Sequence, residues 1–229
     1  MPHPLDRSIW QALTTRQAAL RRGTGDALCY DPDFTPFAAT RDDRPASLAA
    51  LADIIPQGGR VALFNDTALA FPDSLNCVHR DEALQMMLDR PAPPADPAIA
   101  FRPLGAADGP AMAALVELTR PGPFARRTWE MGRYVGVFDG TSLVAMAGER
   151  LQLDGFVELS AVCTHPDHRG RGLAAALMRH LAGRVVDAGD TPFLHVFRRN
   201  IQAISVYRRL GFVERRLLHL AVVGSGAPG

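Results

Sequence analysis

Lysine is missing from this chain: all 25 basic residues are arginine, set against 24 acidic residues for a formal net charge of +1. That near-balance excludes the broad cationic surface that nucleic acid or an anionic membrane would demand. Cysteine is scarce as well. Cys29, Cys77 and Cys163 are odd in number, far apart and without metal-like pairing, which favours reduced thiols over a disulfide framework. No apolar run nears the ~18 residues needed to cross a bilayer. Met1-Pro2-His3-Pro4-Leu5-Asp6 has neither the basic start nor the apolar stretch of a secretion signal. The expectation is a cytoplasmic protein, monomer or homodimer, with neither nucleic acid nor membrane as partner.

What is present is enough apolar material for a sizeable core, 47% of 229 residues, as one large domain or two modest ones. The clearest break is Pro91 to Ala98, a Pro-rich stretch that can continue neither a helix nor a central strand. It reads as a linker at 91–98 between an N-terminal α/β region, 1–90, and a unit spanning 99–223. A short Gly-rich tail, 224–229, reads as disordered.

Before the linker, Leu5, Ile9, Leu13 and Leu20 fall on one face of a helix over 5–20. Strands are expected at 26–30 and 60–64, a helix at 45–54, and either strand or helix at 76–88. After it, a strand over 99–104 leads to a helix ending at Leu118, with Asp108 as its N-cap. A short helix at 126–131 precedes a hairpin turned by Asp139-Gly140 between strands 134–138 and 142–150. Strand 157–164, helix 172–186, strand 193–197, helix 201–210 and a strand-rich 212–223 complete the pattern. Hairpins followed by a strand–helix–strand unit imply an α/β fold with a mixed, mostly antiparallel twisted sheet and flanking helices.

Thr164-His-Pro-Asp-His-Arg169-Gly170-Arg171-Gly172-Leu173-Ala174 carries the chemistry. A strand stops and a glycine-rich loop opens a helix, whose first turn offers unpaired N–H groups and a partial positive charge. A diphosphate docks there when no Cβ blocks its approach, and Arg169 and Arg171 add positive charge. Gly170 to Ala175 also fits the dinucleotide pattern G-x-G-x-x-A. That alternative fails: five residues separate strand from glycine, and no acid ends the next strand, which runs into Arg198-Arg199. Cys163, His165 and His168 are too crowded for a structural zinc site, and no metal is expected.

The Arg169-x-x-Gly172-x-Ala174 loop after a strand resembles the pyrophosphate-binding motif of the GNAT superfamily of N-acetyltransferases. A second block, Asn200-Ile-Gln-Ala203-Ile-Ser-Val-Tyr207-Arg-Arg-Leu210-Gly211-Phe212, resembles that superfamily's helix-then-strand block. The likeness covers about Ile99 to Val223. Within it, Thr119 to Phe124 and Glu158 to Arg171 look most like the subgroup related to glycine N-acyltransferase, in which the N-terminal half resembles a degenerate copy of the same fold.

The resemblance implies acetyl-CoA as co-substrate and a small-molecule amine as acceptor. It implies a strand ending at Thr164 that splays from its neighbour, so that Val162, Cys163 and Thr164 meet the pantetheine arm and the N–H near Val162 polarises the thioester. Arg169, Gly170, Arg171, Gly172, Leu173 and Ala174 would hold the phosphates. Asn200 would bond the cofactor or cap its own helix. Glu158 would be the base, acting through water, or else an ion-paired sheet residue; Glu149 is the rival carboxylate. Tyr207, two helical turns after Asn200, would be the acid or else a core tyrosine. Arg120, Arg126 and Arg127 read either as a solvated arginine cluster or as a carboxylate-binding one, the latter suggesting an amino acid or acidic small amine. Without lysine, the chain has no side-chain amine of that kind to acylate on itself. A non-catalytic acyl-CoA-binding or regulatory protein is the alternative.

Overall fold

A computed structural model describes residues 3–90 and 99–225. The linker expected at 91–98 and most of the tail, 226–229, lie outside the described residues. Gly224 and Ser225, read as tail, instead end the last strand, paired with Asn76 and Leu75.

The chain begins with a single 3-10 turn, Pro4–Arg7, then α1 (Ser8–Thr14). Leu5, Ile9 and Leu13 are buried as the periodicity requires. The longer helix over 5–20 is broken at Arg7 and Thr15, both outside the helical region, and the Thr14 and Thr15 hydroxyls bond back to the carbonyls of Trp10 and Gln11. A small sheet of β1 (Arg21–Arg22), β2 (Ala27–Tyr30) and β3 (Ala38–Thr40) follows. Two short helices, α2 (Pro45–Ala49) and α3 (Leu51–Ile54), lead to β4 (Arg60–Asn65) and β5 (Leu75–Leu88). The ambiguous stretch at 76–88 is therefore strand.

Then come β6 (Arg102–Leu104), α4 (Gly109–Thr119), β7 (Tyr134–Asp139), β8 (Ser142–Leu153), β9 (Phe156–Thr164), α5 (Leu173–Asp187), β10 (Thr191–Phe197), α6 (Ile201–Arg209) and β11 (Phe212–Ser225). Asp108 does not cap α4 with its side chain. It accepts from the N–H of Gly105 at 3.0 Å and pairs with Arg102, which stabilises the 3-10 turn before the helix.

Among the described residues the main sheet runs β4-β11-β5-β10-β9-β8-β7-β6. Every neighbouring pair is antiparallel except β9 and β10, whose crossover is α5. The mixed, mostly antiparallel sheet with flanking helices is thus the observed fold. The N-terminal segment reaches into it: β5 lies between β10 and β11, antiparallel to both. Each face of the sheet is covered. Leu177, Met178, Leu181 and Val185 of α5 pack on Val157, Leu159, Leu194 and Val196. Strand alternation turns Phe193 to the opposite face, where it meets Leu5, Tyr30 and Phe37 of the N-terminal segment.

Candidate active site

The parallel ladder between β9 and β10 is short. It pairs Phe156, Val157 and Glu158 with Thr191, Pro192 and Phe193, and then ends. From Leu159 to Thr164, β9 has no strand partner on that side, so its edge lines an opening. Ala161 has φ 53°, a left-handed conformation that costs a residue with a Cβ roughly 1–2 kcal/mol. Here Ala161 and Val162 together face the single residue Ala147, a bulge that takes backbone groups out of the ladder.

A cleft of about 580 Å³ fills the opening. Val162, Cys163 and Thr164 form one wall, the loop and first turn of α5 another, and α6 a third. Gly170 and Gly172 have φ 76° and 74°, which only glycine adopts freely, and a Cβ at either would meet nothing within 4 Å. The loop therefore needs glycine for its backbone hand, and the space in front of it stays open. The N–H groups of Leu173, Ala174 and Ala175 have no acceptor within the helix. Leu173 sends its side chain into the core. Arg169 lines the cleft, whereas Arg171 is exposed and lies off its lining. Arg179, two turns into α5, also lines it, with Nε buried and unpartnered. Cys163 is a buried thiol pushed up to about 11 by burial, too weakly acidic to act as a nucleophile at neutral pH. These features fit a coenzyme A thioester: a diphosphate at the helix start and an amide-bearing arm along the free strand edge.

A second cavity, of about 120 Å³, adjoins the cleft. The two share Pro121, Val162, Phe197, Asn200, Ala203 and Tyr207. Asn200 caps α6, its Oδ1 accepting from the N–H of Ala203 at 3.2 Å. Tyr207 has no hydrogen-bond partner for its hydroxyl among the described residues. Burial pushes that phenol up to about 12, so it stays protonated at neutral pH.

Glu158 is different. It is completely buried. Its carboxylate accepts from Arg150 Nε at 2.9 Å and Nη2 at 2.7 Å, from His195 Nδ1 at 2.8 Å, and from the N–H of Leu151 at 3.4 Å. The His195 proton is fixed by its other neighbour. Gln85 accepts from Arg215, which can only donate, so its amide nitrogen faces Leu5 O and His195 Nε2, at 3.0 and 3.2 Å. Nε2 therefore accepts, and Nδ1–H donates to Glu158. Burial alone would raise the Glu158 pKa, but the charge and hydrogen bonds of Arg150, with the hydrogen bond from His195, hold it down at about 2. A carboxylate so saturated has little capacity to take a proton from an amine, which favours the ion-paired sheet residue over the base of the two readings of Glu158. Glu149, the rival carboxylate, accepts from the N–H of Arg133 at 3.3 Å, leaves Oε1 buried without a hydrogen-bond partner among the described residues, and lines neither cavity.

The arginine cluster also separates. Arg120 ends α4 in a left-handed turn and lines the cleft. Arg126 pairs with Asp33, and Arg127 holds Glu130 at 2.9 and 2.6 Å with its guanidinium over Phe34. Both line a separate depression beside α4 and Trp129, away from Tyr207, because acidic and aromatic neighbours claim them. The arginine at the second cavity is Arg150, accompanied by His195 and by Phe37, Phe64 and Ala83 of the N-terminal segment. Nothing in local sequence singles these out; the strands that unite them are far apart in the chain.

A sheet split at its parallel pair, with a glycine loop and helix start at the mouth, defines the class of acyl-coenzyme A transferases that the loop motif suggested. The comparisons agree. The FR47-like protein family model matches residues 134–219. A crystal structure of a GNAT-family protein from Novosphingobium aromaticivorans, named an acetyltransferase, is 36% identical, with a TM-score of 0.92 over 98% of this chain and 100% of its own. The N-acetyltransferase YobR of Bacillus subtilis, itself uncharacterized, is 32% identical over 77 residues, 33% of this chain and 31% of its own. A GCN5-related N-acetyltransferase from Kribbella flavida shares the fold, with a TM-score of 0.58 at 19% identity over 97% of this chain and 93% of its own. The chain belongs to the GNAT family of acetyltransferases.

Proposed function

We propose that the protein transfers the acetyl group of acetyl-CoA to a primary amine of a small molecule. The observation that carries this reading is the position of Tyr207, whose unpartnered phenol lies where the coenzyme cleft meets the acceptor cavity. The bound thioester would supply an activated acyl carbon with a thiolate leaving group. Gly170, Gly172 and the free N–H groups of the first turn of α5 hold the diphosphate, and Arg169 adds charge. The bulge at Ala161 presents the Val162 N–H toward the thioester oxygen, a contribution of about 2–4 kcal/mol to the barrier for a well-placed donor. Tyr207 donates to the departing sulfur. Glu158 keeps Arg150 and His195 in place, the amine attacks as its free base, and the proton it loses in becoming the amide offsets, through water, the one Tyr207 gives to the sulfur.

The finer likeness to glycine N-acyltransferase relatives has its support in Thr119 to Phe124, since Pro121, Gly122 and Pro123 line the acceptor cavity. It does not bring Arg126 and Arg127 with it. Thiol release from acetyl-CoA in the presence of a panel of amines tests the reading. Amine-dependent release supports it; acetyl-CoA binding with no turnover on any amine would favour the non-catalytic alternative.

A further inference from the structure

Phe37, Phe64 and Ala83 of the N-terminal segment form one side of the acceptor cavity. Phe37 precedes β3 and Phe64 lies on β4; their rings meet edge to face, 5.6 Å apart at 76°. Phe64 also stacks on the His195 ring, at 4.9 Å and 6°. The guanidinium of Arg150 lies 4.6 Å from the Phe37 centroid. Two of its nitrogens are taken by Glu158. The third, Nη1, has no protein partner among the described residues, although the side chain is only 6% exposed and lines the cavity. Both His195 nitrogens are engaged with Glu158 and Gln85. Arg150 Nη1 is thus a strong donor left open toward a small cavity of mixed polar and apolar lining, and a largely desolvated donor of this kind is stabilised by an oxygen.

The charge of that oxygen follows from Glu158. The carboxylate already neutralises Arg150 through two hydrogen bonds, so a second carboxylate would be a second anion on one cation, away from water. A neutral carbonyl satisfies Nη1 without that desolvation cost. The acetyl-transfer reading above being granted, we infer that the cavity selects a compact primary amine bearing a carboxamide-type carbonyl over the matching carboxylate. Arg150 reads the oxygen, and Phe37 and Phe64 limit the size.

The test uses the full chain with acetyl-CoA and the pairs alaninamide with alanine and leucinamide with leucine. Thiol release is followed across several pH values, and kcat/KM is expressed per mole of free-base amine, which removes the difference in amine pKa. The amides should be favoured roughly tenfold or more. Phe64→Ala should shift the preference toward bulkier amides while acetyl-CoA affinity, read by calorimetry, stays within about twofold. Carboxylates used as well as their amides, or an unchanged size preference in a folded Phe64→Ala protein, would overturn the inference and leave acetyl transfer standing. No turnover on any amine by a protein that binds acetyl-CoA would overturn the acetyl-transfer reading itself.

Discussion

His195 Nδ1 lies 2.8 Å from Glu158 Oε1, across the point where β10 stops pairing with β9. The contact continues the link between the two strands for one more step, through side chains, just before they diverge. On its other side Glu158 is clamped by Arg150, and the three side chains together form the floor from which the split opens. A buried carboxylate here anchors the site and is not free to exchange protons with it.

Glu158→Gln should therefore cost stability before anything else. Removing one partner of a buried ion pair strands the other charge, at about 3–5 kcal/mol. For a chain of this length that is a fall in melting temperature of roughly 6–20 °C, read by circular dichroism. A variant that melts like the parent yet loses activity would restore Glu158 as a base.

Acid should act on the same pair. The folded pKa of Glu158 is depressed to about 2 from an unfolded value near 4.5. Its contribution to stability is thus present above the unfolded value and lost as pH falls from there toward about 2. Denaturant midpoints near pH 3 and pH 6 should differ by less in Glu158→Gln than in the parent.

Tyr207→Phe keeps the ring packed against Phe212, at 6.2 Å, and removes only the hydroxyl. Turnover should fall by about tenfold or more, with acetyl-CoA affinity changed by about twofold at most. Calorimetry beside steady-state kinetics separates the two. A collapse of affinity would make the phenol structural.

The pH–rate profile reports the missing base. With Glu158 saturated, kcat/KM should climb with unit slope toward the pKa of the acceptor amine itself. A plateau set by a group near pH 6 or 7, the same for amines of different basicity, would reveal a base elsewhere.

The loop from Arg169 to Ala174 was legible because backbone hand, helix start and charge are all written within a few consecutive residues, and α5 was legible from its apolar periodicity. Tyr207 and Asn200 could be placed on one face of α6 from their helical spacing. The bulge at Ala161 was not, since alanine carries no preference for the left-handed region that it occupies. The fate of Glu158 was hidden for a different reason. Its partners Arg150 and His195 come from two other strands, and the roof over them, Phe37 and Phe64, comes from a segment whose own sequence shows no chemistry. Nor could spacing reveal that β5 is inserted between β10 and β11, because that pairing joins distant parts of the chain. Arg126 and Arg127 looked like a substrate cluster only while Asp33, Glu130 and Phe34 were unseen beside them.

The entrance to α5 is where the proposed activity places the diphosphate of a coenzyme A thioester. Calorimetric titration of the full chain with acetyl-CoA, in parallel with Gly172→Val, tests it most directly. A Cβ at that left-handed position strains the loop and juts into the open space before the N–H groups. Expected is saturable one-site binding by the parent and a loss of roughly tenfold or more in affinity for the variant, with its fold retained. No heat from the parent at millimolar acetyl-CoA, or equal binding by both proteins, would contradict it.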